Sequence, residues 1–411
     1  MKFIKISTYY RDFLKNYYTR FPEVVQWNYA KQYAHLMEQY FSWSDNYGRL
    51  MAQKGMETME IVSNAVPMQR AWAIENGFSD KLSLDEIVAK QIEFFKPEVV
   101  YFQYSISFRD GFIREIRKNN PSIRLIIGNI CAPFANSQLE QFKVFDYFTV
   151  CSPVFVDALR KYGFKSILIP HAFDGRLLDK INIENHYSLS EFFFTGSIIP
   201  GEGFHSLRLQ ILENLVNENI PFDFYGNLPD NSYLSLLKKR TSYFTAQFLD
   251  SVGLKSVTDS IPLIRKGRAH QSIPKRMKIS KKLYSVAKPP IFGLEMFKAL
   301  SKAKIGFNIH GDCAADYTAN MRIFETTGVA TCLLTDMKKD LNNYFDIDNE
   351  IVTYSSVNEC IEKIKWLLNN PNKCREIAQN GQLRTLRKHN FESRVDMFLE
   401  KLTTIMKKES I

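Results

Sequence analysis

Between Lys304 and Asp336 the chain runs KIGFNIHGD, then TANMRIFETTG from Thr318 to Gly328, then VATCLLTD. This reads as a buried strand, a polar loop, a short helix stopped by glycine, and a second buried strand. Few folds accommodate such a unit. It is the building block of parallel α/β sheets, where ligands sit in the loops beyond the C-terminal strand ends. The spacing predicts Asn320 and Arg322 in the first turn of the helix, with Glu325 further along. Backbone N–H groups at a helix start attract phosphate. A guanidinium there adds charge and a planar fork, and a carboxylate can accept hydrogen bonds from a ribose diol.

The rest of the chain keeps the same rhythm. KFIKIS, METMEIVS, EVVYFQ, IRLIIG, YFTVC and SILIP read as strands in the first half. Between them the spacing predicts helices over Asn28–Phe41, Pro67–Glu75, a Ser83/Glu86-capped segment through Phe95, Phe108–Lys118, and one opening at Ser152-Pro153. The polar stretch Asp174–Ser190 reads as a linker. EFFFTGS, FDFYG, KIGFNIHG, VATCLL and EIVTY then restart the strands. Helices are predicted over Leu207–Asn217, from a Ser355 cap to Leu368, and over Pro371–Gln379, Gln382–His389 and Glu392–Lys407. At 411 residues the chain exceeds one compact core. The fold class is α/β, with two Rossmann-like domains facing each other across a cleft. The expected boundaries are 1–180, 188–390 and a closing helical segment, 391–411.

The strand-end rule nominates Tyr9, Tyr10, Ser105, Asn129, Ser152 and His171 in the first half. In the second half it nominates Gly196, Ser197, Tyr225, Gly226, Asn308 and His310, joined by Asn320, Arg322 and Glu325.

Several function classes lack their signatures. No GxGxxG follows the first strand, no GxxxxGK[ST] occurs, and no GxSxG elbow occurs. Asp346-Ile-Asp348 has a metal-diphosphate spacing but lies in a polar turn. The six cysteines have no CxxC pair and no zinc spacing, so they read as reduced thiols, and no metal is expected. The N-terminus has no apolar core of a secretion signal, and no run is long enough to span a membrane. A cytoplasmic protein is expected.

Charge is concentrated. Residues 231–290 carry thirteen Lys and Arg against only Asp250 and Asp259, which outweighs the net +10 of the whole chain. Such a basic insert suits an anionic membrane surface or an anionic glycan. Nucleic acid is not expected, because neither aromatic interleaving nor a Cys/His finger accompanies the charge.

The second half resembles the nucleotide-binding domain of GT-B glycosyltransferases, and within them it is similar to the CgeB-like, spore-maturation type. The resemblance rests on FFFTGS (192–197), FDFYGNL (222–228), GLEMFKALSKAKIGFNIHGD (293–312), ANMRIFETTGVATCLLTD (319–336), EIVTYSSVNECIEKI from 350, and the NPNKCREIAQNGQLRTLRKHNFESR tail through 394. FSWSDNYGRL, PMQRAWAIENG and VCSPVFVDALRKYGFKSILIPHAFD extend it to the first half. It implies that the second domain holds a nucleotide-diphosphate sugar, with Glu325 on the ribose, and that the first takes a glycan, glycolipid or protein acceptor. It implies a hexosyl- or related transferase of cell-surface glycan or coat biosynthesis, with no permanently bound cofactor and a last helix that crosses back to the first domain. Tyr317 departs from the pattern, standing where many retaining members carry a glutamate. If configuration inverts, a base is needed, and Asp45, His171 and Asp174 are the candidates. A non-catalytic glycan- or nucleotide-binding module of an envelope or coat assembly is the alternative from another class.

Overall fold

The structure is a computed structural model describing residues 1–181, 190–198, 206–254, 258, 261–268, 270 and 272–408. The expected boundary at 188, parts of the linker and basic insert, and the chain end from 409 lie outside the described residues.

The first six strands are β1 (Lys2–Ser7), β2 (Glu57–Val62), β3 (Val99–Phe102), β4 (Leu125–Ile130), β5 (Tyr147–Val150) and β6 (Ser166–Leu168). They form one parallel sheet in the order β2-β1-β3-β4-β5-β6. The next six are β7 (Ser190–Thr195), β8 (Asp223–Tyr225), β9 (Ala287–Lys288), β10 (Ala303–Asn308), β11 (Cys332–Asp336) and β12 (Val352–Tyr354). They form a second parallel sheet, β12-β11-β10-β7-β8-β9. Counted from its own first strand, this sheet has the doubly wound order 3-2-1-4-5-6, with its switch point between β7 and β10. In the first sheet the order reverses between β1 and β3. Helices cover both faces, which is why strands such as VVYF and CLLTD are buried along their length rather than alternating.

Most predicted helices form where the pattern places them. The Ser83 capping box closes at both ends: Glu86 N–H reaches Ser83 Oγ at 3.2 Å and Ser83 N–H reaches Glu86 Oε2 at 2.6 Å. Four expectations change. The helix predicted from Thr318 begins at Arg322 and has seven residues, Arg322–Gly328, because Asp340 Oδ1 takes the Thr318 N–H at 2.8 Å and the segment before Arg322 stays non-helical. The cap of Val357–Asn369 is Ser356, not Ser355; the Ser355 N–H instead meets Glu359 Oε2. Pro371–Lys388 is one helix rather than two. Gly381 sits inside it because a Cβ there would lie 2.4 Å from the Glu350 carbonyl oxygen. Finally, the basic stretch is not wholly an insert. Its end supplies β9, whose Lys288 pairs with Asp223 of β8.

The last helix, Phe391–Lys408, returns to the first half as expected. Phe391, Val395, Phe398, Leu402, Ile405 and Met406 enter one apolar cluster with Phe3, Tyr47, Leu125 and Ile127. The two halves also meet through backbone. Leu294 N–H donates to the Gln39 carbonyl at 2.7 Å, and Phe173 N–H to the His389 carbonyl at 2.8 Å. Among the described residues no helix is long and apolar enough to cross a membrane.

Candidate functional site

The crevice at the switch point of the second sheet is built from the ends of β7 and β10. Gly196 and Ser197 follow β7 directly. Gly196 N–H donates to the Tyr225 carbonyl and Gly226 N–H to the Lys288 carbonyl, both at 3.0 Å, so three strand ends are laced together. A Cβ at Gly226 would stand 2.2 Å from the Gly196 carbonyl oxygen. The smallness of Gly226 therefore serves this close approach. Tyr225 contributes its carbonyl; its ring packs on Phe193 and under Lys288. That differs from the expectation of a tyrosine offered to a ligand.

Arg208, which the sequence reading did not single out, lies at the centre of this edge. It projects from the helix Ser206–Asn217, is 9% exposed, and donates to the carbonyls of Ser197 and Ile309, each at 2.9 Å. Burial pushes its guanidinium down to about 10. A buried cation spanning the loop ends after β7 and β10 is placed to receive an anion. The only sequence signal was an arginine in the first helical turn after Gly-Ser.

Beyond β10, His310 is buried, and its Nδ1 lies 2.7 Å from Asp336 Oδ1, which also accepts the His310 backbone N–H at 3.0 Å. Burial alone would raise the Asp336 pKa, but the hydrogen bond and charge of His310, with Lys338, bring it below the usual carboxylate range. The carboxylate fixes the ring, and Nε2 is buried without a hydrogen bond among the described residues. Asn308 donates to Thr335 Oγ1 at 2.9 Å, while Asn320 donates to Asn308 Oδ1 at 2.9 Å and to the Ile309 carbonyl at 3.1 Å. The amide nitrogen of Asn320 thus ties its loop to the strand end. Arg322 and Glu325, expected to serve different parts of one ligand, form an ion pair at 2.9 Å, and Arg322 also touches the Met296 sulfur.

Glu325 lines a small interdomain pocket with Met321, Tyr40, Ser42, Ser44 and Asp174. Tyr10 reaches this junction: its ring, though 66% exposed, meets Phe41 and Phe292. Tyr9 does not reach it. It is 4% exposed and packs on Phe13 and Phe41, because the alternation that turns Tyr10 outward turns Tyr9 into the core. Ser105 is buried, with its hydroxyl on the Asn129 carbonyl at 2.9 Å. Asn129 donates to Thr149 Oγ1, also at 2.9 Å. Both brace the loops of the first sheet. Ser152 is buried, with no hydrogen bond to its hydroxyl among the described residues.

The three candidate bases separate. Asp45 and Asp174 both bind Arg176, at 2.6 and 2.7 Å, and Asp174 also accepts from Asn46 at 2.9 Å. These carboxylates form a charged clasp rather than free bases. His171 is buried, and its Nδ1 has no hydrogen bond among the described residues. Burial, with Arg394 nearby, lowers its pKa to about 4, and the Ala319 carbonyl opposes that shift. Its imidazole is neutral at pH 7. The DxD carboxylates are engaged locally, Asp346 with Asn349 and Asp348 with Lys363.

Residues 271–400 match a family model described as glycosyl transferase-like. A search of curated proteins returned no match. Among solved structures, a glycosyltransferase from Rickettsia africae is similar at 9% identity, covering 99% of this chain and 98% of its own, with a TM-score of 0.53. Anabaena HepE, solved with UDP and glucose, is similar at 11% identity, covering 98% of this chain and 100% of its own, with a TM-score of 0.51. The chain thus has the GT-B fold, and a glycosyl transferase-like sequence segment spans β9 through β12 and most of the helix that returns to the first sheet.

Proposed function

We propose that this protein is a glycosyltransferase that moves a sugar from a nucleotide-diphosphate donor to an acceptor hydroxyl. The observation that carries this reading is the switch-point edge of the second sheet, where Gly196-Ser197 and the buried Arg208 meet the His310–Asp336 pair, the latter within the segment that matches the glycosyl transferase-like model. The departing nucleotide diphosphate gains negative charge. The guanidinium of Arg208 is the fixed group suited to stabilise it, since the Gly196 and Ile198 N–H groups are already donated to the Tyr225 and Asn227 carbonyls, and Arg322 would join it on leaving Glu325. Losing one such contact costs on the order of 10²–10³ in rate. Glu325 is the group assigned to the ribose. The helix Arg322–Gly328 is too short for its dipole to carry the charge work, so the scheme rests on the guanidinium side chains.

No metal is required where a guanidinium neutralises the diphosphate, so turnover should persist in EDTA; strict metal dependence would overturn that part. If configuration inverts, His171 is the remaining base candidate, since Arg176 occupies the other two. The finer assignment, a CgeB-like enzyme of cell-surface glycan or coat biosynthesis, rests on the sequence resemblance.

The test is a thermal-shift panel of nucleotide diphosphates and their sugars, starting with UDP and UDP-glucose because the Anabaena neighbour was solved with both. A ligand bound to the native state raises the melting temperature according to its occupancy. One base standing out supports the reading; no response across the panel defeats it. Glu325→Gln separates an enzyme from a binding module. An enzyme loses turnover and donor affinity together, whereas a structural module keeps its partner.

A second surface favours a membrane-associated acceptor. In the helix Tyr233–Ser251, which packs on Pro262–Arg268, Tyr233, Leu234 and Phe248 are 80%, 71% and 64% exposed beside Lys238 and Arg240. Apolar side chains flanked by cations suit the interface of an anionic bilayer.

A further inference from the structure

Cys131, Cys151 and His171 are twenty residues apart in sequence, a spacing that matches no metal motif. The fold nevertheless brings them together. Each lies at or just beyond the C-terminal end of one of three neighbouring parallel strands, β4, β5 and β6. Adjacent strands lie about 4.7–4.9 Å apart, so equivalent positions on this edge fall within mutual reach. One ligand atom from each side chain lies within 4.8 Å of the others.

Two further observations point to a ligand. His171 Nδ1 is buried in a residue only 8% exposed and makes no hydrogen bond among the described residues. The Asn129 amide nitrogen stands 3.7 Å from Cys131 Sγ, in position to donate to a thiolate as outer-shell partners of metal-bound sulfur do. Cys151 Sγ faces the Ala319 carbonyl of the second half at 3.7 Å.

We propose that Cys131, Cys151 and His171 bind one soft divalent cation of the zinc class. Zinc–sulfur bonds of about 2.3 Å and zinc–nitrogen bonds of about 2.0–2.1 Å place tetrahedral ligand atoms roughly 3.3–3.8 Å apart, so small rotamer changes would close the set. The balance is simple. Two thiols release two protons to solvent, two thiolates and a neutral imidazole bind the cation, and nothing is oxidised. The loaded cluster carries no net charge, which suits a buried place. Cys131 is only half-buried and leaves a side open for entry and for a fourth ligand. Binding removes the Cys151 S–H that faces Ala319, and it takes His171 out of any proton transfer. Metal loading and an inverting transfer that uses His171 as base therefore exclude each other.

The test uses the full chain, reduced and stripped with EDTA, titrated with Co²⁺ under anaerobic conditions. One equivalent should produce a thiolate-to-cobalt charge-transfer absorption, and Zn²⁺ should bleach it. Cys131→Ser, Cys151→Ser and His171→Gln should each weaken binding more than about 100-fold, judged against the 10–100-fold cost of losing an outer-shell partner alone. Cys360→Ser, at a buried cysteine outside the cluster, should bind like the parent. The conservative Cys131→Ser at a half-buried position guards against loss of fold, checked by an unchanged melting curve. No charge-transfer band in the reduced parent, or a band that persists in Cys131→Ser and Cys151→Ser, would overturn the assignment. Either result leaves the nucleotide panel standing, because the readout involves neither donor nor turnover.

Discussion

At Gly226 and at Lys5, single side chains decide whether their surroundings can exist. A methyl group at residue 226 would overlap the Gly196 carbonyl at the edge proposed to take the diphosphate, and backbone cannot swing aside as a flexible side chain can. Gly226→Ala is expected to cost about 1–3 kcal/mol through overpacking and to abolish any nucleotide-induced thermal shift. A variant that melts and binds like the parent would refute this close approach. Lys5 is a cation on the interior strand β1. It meets Glu60 at 3.0 Å, with the two side chains 1% and 5% exposed, while Gly48 N–H holds the other carboxylate oxygen at 2.6 Å. Lys5→Met would leave Glu60 buried without its countercharge, at a cost of about 3–5 kcal/mol. The double variant Lys5→Met/Glu60→Gln should recover part of that loss in a denaturant titration; no recovery would show that the lysine acts through packing alone. Gly226 was nominated by its place at a strand end, but Lys5 was not legible from sequence. Lys5 reads as the polar position of an ordinary strand, and only the third dimension supplies Glu60. Arg208 was missed for the same reason, since the Ile309 carbonyl it meets lies 101 residues away.

Elements were far easier to read than sites. A parallel strand covered on both faces is an uninterrupted apolar run, and a helix start is announced by Ser-x-x-Glu, so β1 to β8 and the Ser83 box declare themselves locally. What local pattern misses is set by distant partners. β9 has two residues and exists because β8 accepts it, Gly381 stays helical because Glu350 approaches it, and the helix after Asn320 is shortened by Asp340. The strand-end rule nominates an edge of each sheet but could not tell Tyr10 from Tyr9, nor a free carboxylate from one bound to Arg176. The helix Tyr233–Ser251 is a separate case. Its charge was legible, but its exposed apolar side chains needed the packing against Pro262–Arg268 to show which face is left over. Leu234→Ser/Phe248→Ser is expected to reduce co-sedimentation with phosphatidylserine-containing vesicles about tenfold or more, since each buried side chain is worth about 1.5–3 kcal/mol, while leaving nucleotide thermal shifts unchanged. Equal sedimentation of parent and variant would remove the membrane reading without touching the proposed donor site.

For the whole molecule, the joint between the halves is tied by the turn joining the last two helices. His389 Nε2 meets the Tyr344 carbonyl at 2.8 Å, and Arg394 Nη2 meets His389 Nδ1 at 3.0 Å. Arg394 Nε also donates to the carbonyls of Pro170 and His171, both at 3.1 Å, so one arginine links that turn to the end of the first half. With Nδ1 accepting from a guanidinium, His389 must be neutral. Burial lowers its pKa to about 4; the Tyr344 carbonyl works against that shift, and Arg394, Arg384 and Lys388 reinforce it. An unfolded histidine titrates near 6.5. Between about pH 6.5 and 4 the unfolded chain therefore binds a proton that the folded chain refuses. Stability is fully present above 6.5 and declines as pH falls through this window, by up to about 3 kcal/mol from this residue. His389→Gln keeps a donor for Tyr344 and removes the titration, so its unfolding free energy, followed by denaturant from pH 7 to pH 4, should fall less steeply than that of the parent. Parallel slopes would mean that His389 is protonated in the folded protein, and that the joint is held without the neutral imidazole that Arg394 requires.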